Sequence, residues 1–188
     1  MYANFIDCNN SLEFFTNSAG DLLYFKTEEG KTTLNNFNDP DIDTLDILSK
    51  DLHKHPEAIK ALEQMGIHKP IDQLRKYASC RYGSLDPTPD FVNGQATNSE
   101  YSECGNRNNC PHEFKLCAQP TTPNGCKLTK TEMLVATATA KDLSDNEIAY
   151  RLHKSPHTIK SHIKTIIQKL GCRSRNGIVA FIRKTHLL

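Results

Sequence analysis

Apolar residues recur at helical spacing in two stretches of the chain and follow no steady period in two others. Between residues 40 and 79, Ile42, Leu45, Ile47, Leu48 and Leu52 trace one stripe. Ala58, Ile59, Ala61, Leu62 and Met65 trace a second. Pro40 stands just inside the first helix start, Pro56 opens the second helix, and Gly66 stops it. Pro70 opens a third, running from Ile71 to about Ala78. Residues 127–188 carry denser punctuation. Thr129 and Ser144 are each followed three residues on by a glutamate, Glu132 and Glu147, the spacing of a capping box. The first of these helices runs to about Ala140, and the second turns Ile148, Ala149 and Leu152 inward. Ser155 caps a third, with Pro156 at its first position, an apolar stripe of Ile159, Ile163, Ile166, Ile167 and Leu170, and Gly171 as its stop. Ser174 opens a fourth, with Ile178, Val179, Phe181 and Ile182 inside.

The other two stretches are harder to read. Residues 21–34 suggest a short β-hairpin, Asp21 to Lys26 and then Glu29 to Leu34, whereas Leu12, Phe14, Phe15 and Leu22 fit neither period. Between 80 and 126, Gly, Pro, Asn, Ser and Thr dominate, and Leu85, Phe91, Val92, Phe114 and Leu116 are isolated apolar points. So little apolar surface cannot offset the entropy of ordering the chain, so the segment is either a disordered linker or is stapled. Pro120 to Gly125 has the composition of a hinge. The expected fold is therefore mainly α. It comprises a small α-rich, α+β unit over 1–79, an irregular cysteine-rich segment over 80–126, and a four-helix domain over 127–188.

Charge sharpens this division. The 188 residues carry a net charge of only +1. Residues 127–188 hold twelve Lys/Arg against four Asp/Glu, a net of +8, which leaves residues 1–126 at −7. After Glu147 there is no acidic side chain, while nine Lys/Arg follow. A polyanion-binding module joined to an acidic partner is the reading this favours. No window approaches the ~18 apolar residues of a membrane span, and the N-terminus shows no secretory pattern. A cytoplasmic protein with no membrane partner is expected.

The second and third helices of the basic region meet across His153-Lys154-Ser155, which is helix-turn-helix spacing. The outer face of the longer helix carries His157, Thr158, Lys160, Ser161, Lys164 and Gln168, donors suited to phosphates and purine edges. His157 and His162 lie ~500° apart around a helix and so do not form a metal pair on one face. The run Leu128-Thr129-Lys130-Thr131-Glu132, Leu143 to Ala149, Leu152, Ser155 to His162, Lys169-Leu170-Gly171 and Ser174-Arg175 resembles the LuxR-type helix-turn-helix family. That resemblance covers about a third of the chain. It implies a four-helix module whose third helix, 156–170, reads the major groove of double-stranded DNA, and a homodimer formed through the last helix on a two-fold operator. Lys160, Ser161 and Lys164 match the family's groove-facing positions, and Ser155, Thr158, Lys169 and Arg173 lie where phosphate contacts are expected. Ile159 replaces the commoner valine, and His153 stands where an aliphatic residue is usual.

Cys80, Cys104, Cys110, Cys117 and Cys126 fall within the irregular segment. Clustered thiols in a reducing compartment more often bind metal than form disulfides. No C-x2-C knuckle is present, so the signal is thiol density alone. Cys80, Cys104, Cys110 and Cys117 are the expected ligands of a closed structural zinc site, with Cys126 spare and His112 a substitute. An iron–sulfur cluster would use the same thiolates, and reduced, unliganded thiols are the third reading. Tyr101 to Gly105, Arg107, Cys110-Pro111 and Leu116-Cys117 resemble cysteine-containing segments ahead of LuxR-type modules in regulators of Bacteroidota and their phages.

The leading expectation is a sequence-specific DNA-binding transcription regulator. Its N-terminal part would serve as sensor, dimeriser or RNA-polymerase contact, and no enzyme is expected. A nucleic-acid deaminase would need H-x-E and P-C-x-x-C, and the chain has neither. The alternative is a phage-borne or mobile-element interaction adaptor that binds DNA without specificity.

Overall fold

The structure is a computed structural model that describes residues 9–97, 104–106, 109–119 and 122–184. Its contacts divide the chain into two compact units, 1–118 and 119–188. Tyr101, Ser102, Glu103 and Arg107 of the cysteine block lie outside the described residues.

The N-terminal unit is built on an antiparallel sheet, which corrects the mainly α expectation for this part of the chain. Strands β1 (Ser11–Thr16), β2 (Leu22–Glu28), β3 (Lys31–Asn36), β4 (Phe91–Val92) and β5 (Gln95–Ala96) lie in the order β3-β2-β1-β4-β5. β2 and β3 pair around Glu29-Gly30, both at positive φ, the backbone that a two-residue hairpin turn requires. β1 escaped the period test because both of its faces are covered. Leu12 and Phe14 are buried on one side, and Ser11 and Glu13 on the other. Alternation of polar with apolar residues marks only half-buried strands.

Helices α1 (Ile42–His53), α2 (Pro56–Gln64) and α3 (Pro70–Arg81) contribute to the same core as one sheet face. Leu12, Phe14 and Tyr24 from the strands pack with Leu48, Leu62, Leu74 and Tyr77 from the helices. Aromatic edges organise the centre: Phe14 meets Tyr24, Phe37 and Phe91 with ring centroids 5.4, 6.2 and 6.1 Å apart. Asp41 ties helix to sheet. Its carboxylate caps α1 by accepting Thr44 N–H at 3.0 Å, and it also accepts the Tyr24 hydroxyl at 3.0 Å and the Lys26 ammonium at 2.9 Å. Burial opposes ionisation there, but Thr44 and Lys26 outweigh it and hold the Asp41 carboxyl well below the usual range.

Two buried acids fasten the loop that precedes β4. Glu13 accepts the N–H groups of Asp86 and Asp90 at 2.9 and 3.1 Å, and Asp90 accepts Phe14 N–H at 2.7 Å. Desolvation lifts the Glu13 pKa to about 8, and the neighbouring Asp86 charge adds to the rise. A third buried acid, Asp51, accepts the hydroxyls of Tyr77 and Tyr82, each at 2.6 Å.

The C-terminal unit comprises α4 (Lys130–Ala140), α5 (Asp145–Arg151), α6 (Pro156–Leu170) and α7 (Arg175–Lys184). Its interior is aliphatic, with Leu128, Met133, Val135, Ile148, Ile159, Ile166, Ile178 and Ile182 all buried. No helix among the described residues is long and apolar enough to cross a membrane.

Candidate nucleic-acid interface

Local chemistry caps three helices of the C-terminal unit, α4, α5 and α6. Thr129 and Ser144 each accept the N–H of the glutamate three residues on, and each glutamate accepts the cap residue's N–H in return. Ser155 accepts Thr158 N–H at 3.0 Å, with Pro156 at the first helical position of α6. Gly171 ends α6 at φ 64°, and a Cβ there would also lie 2.6 Å from the Asn124 side chain. The left-handed φ favours glycine, and any side chain there would also have to push the Asn124 amide aside.

Between α5 and α6 the chain turns through His153 at φ 49°, and Lys154 N–H bonds back to Ala149 at 2.9 Å. His153 is thus the residue that carries the left-handed step of the turn, a conformation histidine adopts more readily than a β-branched side chain does. Ile159, Ile166 and Leu170 anchor α6 inward. His157, Lys160, Ser161, Lys164 and Gln168 are all exposed, and their spacing of three and four residues places them on one continuous face. Thr158 is half-buried beside the cap, where its hydroxyl shares a hydrogen bond with Ser155 at 2.8 Å. Ser161 gives its proton to His157 O at 3.2 Å and keeps its lone pairs outward. Arg173 is exposed just beyond the end of α6.

Lys169 is engaged inside the unit. Its ammonium bonds Glu132 at 2.7 Å and Lys127 O at 3.2 Å, joining the end of α6 to the capping box of α4. Burial works against ionised Glu132, yet Lys169 and the Thr129 N–H hold its pKa below the ordinary value. Arg175 makes a similar tie from α7 to Asp145 and Leu143 O. Sequence reasoning missed both ties, because each joins positions more than 29 residues apart. It also passed over Tyr150, 84% exposed on α5, whose outward position follows from the inward Ile148 and Ala149. Its phenol is a donor of the kind that meets phosphates.

The four expected metal ligands lie in the N-terminal unit. Cys80 is half-buried in the last turn of α3, Cys104 is exposed, Cys110 is half-buried and Cys117 is buried. None of these four forms a disulfide. Among the described residues, no three histidine, cysteine or acidic side chains are arranged to hold an ion.

Residues 126–182 match the GerE family, described as bacterial regulatory proteins of the luxR family. Over 65 residues the chain is 37% identical to the transcriptional regulatory protein YdfI of Bacillus subtilis (strain 168). That similarity covers 35% of this chain and 30% of the relative. The C-terminal unit therefore contains a LuxR-family helix-turn-helix domain. No solved structure matches the chain significantly.

Proposed function

We propose that this protein is a sequence-specific transcription regulator that binds duplex DNA through α6. The observation that carries this reading is the face formed by His157, Lys160, Ser161, Lys164 and Gln168, exposed and free of carboxylates, on a helix rigidly capped at Ser155. Donors on that face suit the acceptors of purine edges in the major groove, and the lysines can reach guanine O6 and N7. Ser155, Thr158 and Arg173 flank it and meet phosphates, and Tyr150 extends the contact from α5. Lys169 contributes chiefly by holding the end of α6 to α4, since a phosphate would have to compete with Glu132 for its ammonium.

The protein binds as a homodimer in this reading. Ile178 and Ile182 are spent on the unit's own core, while Val179 and Phe181 remain half-buried on α7 and supply an apolar surface for a second copy. The similarity to a transcriptional regulatory protein supports the regulatory role. The N-terminal unit would then carry the signal input or the contact to RNA polymerase.

Selection of bound fragments from genomic DNA, followed by footprinting, tests the reading. A preferred site with two half-sites roughly one helical turn apart is expected. Failure to enrich any fragment would favour a non-specific adaptor. A single half-site bound by a monomer would remove the dimer.

A further inference from the structure

We propose that β3 pairs edge to edge with β3 of a second copy of this chain, antiparallel about a two-fold axis at Leu34, so that two N-terminal units share one continuous sheet. This interface is distinct from the α7 surface and does not rest on the reading of α6. β3 is one edge of the sheet, and among the described residues no strand lies against its outer side. The opposite edge, β5, is two residues long, too short to template another strand. β3 is six residues long and almost wholly exposed. Its register with β2 runs unbroken from Lys31 to Asn36, so no bulge twists it away, and it contains no proline. Its single charged residue, Lys31, stands at its end. The devices that usually blunt an edge strand are thus missing from β3.

Hydrogen-bond direction decides which groups a second strand would meet. Across a two-residue turn the closing pair, Glu28 and Lys31, exchanges hydrogen bonds, and every second pair beyond it does the same. Phe37 N–H bonds Leu22 O at 3.0 Å, which continues that alternation. Lys31, Thr33 and Asn35 therefore bond to β2. Thr32, Leu34 and Asn36 turn their N–H and C=O groups outward, and Asn36 O accepts Asp39 N–H on that side at 3.2 Å.

Side chains select the register. Phe15 stacks on Phe25 with ring centroids 5.4 Å apart, and Phe25 stands opposite Leu34. This apolar row crosses β1, β2 and β3 and ends in solvent, with Leu34 57% exposed. Setting Leu34 against Leu34 of the second copy makes the row continuous across both sheets and removes that leucine from water. The same register sets Thr33 against Asn35 and Thr32 against Asn36, polar against polar. It also brings the Lys31 ammonium of each copy to the strand end beside the exposed Asp39 of the other, opposite in charge. A shift by two residues sets Leu34 against Thr32 or Asn36 instead, and a shift by one sets outward-facing groups against inward-facing ones.

Sedimentation of the full chain without DNA tests this pairing. Wild type should sediment as a dimer, at twice 21.2 kDa. Leu34→Lys sets two ammonium groups opposite each other at the axis and should sediment as a monomer, with hydrogen exchange of α1, α2 and α3 unchanged. The amide at position 34 should be protected in wild type and exchange freely in Leu34→Lys, while those of Thr33 and Asn35 stay protected by β2 in both. Under mild oxidation Leu34→Cys should cross-link through its two substituted positions, whose Cα atoms would lie about 5.5 Å apart. Thr32→Cys should not link to its own counterpart, about 14 Å away in this register. Mass spectrometry of the linked peptides separates these bonds from any between native cysteines. A monomeric wild type would overturn the proposal. A Leu34→Lys protein that stays dimeric would overturn it too, as would Thr32→Cys linking to its counterpart as readily as Leu34→Cys.

Discussion

In the C-terminal unit three helix starts are secured by partners three residues away: Thr129 with Glu132, Ser144 with Glu147, and Ser155 with Thr158. In the N-terminal unit α1 has a local cap of the same kind, Asp41 with Thr44, but the strands, the loop before β4 and the helix core are tied by buried acids reaching across the chain. Glu13 and Asp90 bond residues 73–77 positions away, and Asp51 bonds tyrosines 26 and 31 positions away. The interiors differ likewise, aliphatic in one unit and aromatic with embedded carboxylates in the other. A unit of the first kind forms its elements locally and then packs them. A unit of the second kind has polar groups that are satisfied only when the whole fold is present, so each is costly to lose.

The largest expected effect follows from that cost. Asp51→Ala leaves the hydroxyls of Tyr77 and Tyr82 buried without their acceptor. Each orphaned donor costs roughly 1–3 kcal/mol, so a loss of about 2–6 kcal/mol is expected in the N-terminal unit. Hydrogen exchange of the α1 and α3 amides reads it directly. A change below about 1 kcal/mol would mean that water replaces the carboxylate and that the aromatic core is less closed than the distances indicate.

The same contrast explains what could be read from sequence. Capping boxes, Pro56, Pro70 and Pro156 and the Gly171 stop are short-range signals, and they lie at the helix ends seen in the structure, whereas Pro40, expected just inside a helix, precedes α1, which starts after the Asp41 cap. The exposed face of α6 was legible because a period of 3.6 sorts its residues without any tertiary information. β1 was illegible because Glu13, a residue that usually marks the solvent side, is inside and bonded to backbone from residues 86 and 90. The Asn93-Gly94 turn between β4 and β5 was a readable signal that went unused, with strands of only two residues on either side. The Lys169–Glu132 tie was invisible for a different reason: Glu132 already had a sufficient local role as a capping-box partner.

The next effect concerns recognition rather than stability. Lys160→Ala removes an exposed side chain, so both units should keep their stability. Affinity for the preferred site should fall by roughly 1–3 kcal/mol, with little change on random DNA. Arg173→Ala should weaken both alike and reduce the salt slope by about one unit. Titrations with both duplexes across a salt series distinguish the two classes. Equal losses for Lys160→Ala on both duplexes would move this lysine from the groove to the backbone.

Acidity should separate the two units in opposite directions. The Glu13 pKa is raised from 4.5 to about 8, so the folded N-terminal unit holds a proton that the unfolded chain releases. Its contribution is fully present below pH 4.5 and is lost as pH rises toward about 8. The slope cannot exceed about 1.4 kcal/mol per pH unit, the value for one proton. Glu132 has the opposite sign: its lowered pKa gives stability above 4.5 that is lost as pH falls. Denaturant titrations read separately for each unit by hydrogen exchange should show these opposed trends from about pH 4 to 9; below that, protonation of Asp41, whose pKa is also lowered, costs the N-terminal unit stability as well. Glu13→Gln should flatten only the first.

The smallest effect is the most discriminating, because Ser155 stands where local structure and recognition meet. Its hydroxyl oxygen accepts Thr158 N–H, so Ser155→Ala should cost the C-terminal unit about 1 kcal/mol, the usual price of a lost cap. That loss alone cannot tell whether Ser155 also faces a phosphate. Ser155→Asp can. An aspartate caps as well as serine and interacts favourably with the helix N-terminus, so stability should stay within about 0.5 kcal/mol of wild type. Its charge would nevertheless repel a nearby phosphate, and affinity should fall on specific and random duplexes alike, with the largest loss at low salt. A stable Ser155→Asp protein that binds both duplexes as tightly as wild type would place the start of α6 away from the DNA backbone. The docking of α6 would then have to be redrawn around Lys160 and Lys164 alone, with Ser155 purely a cap.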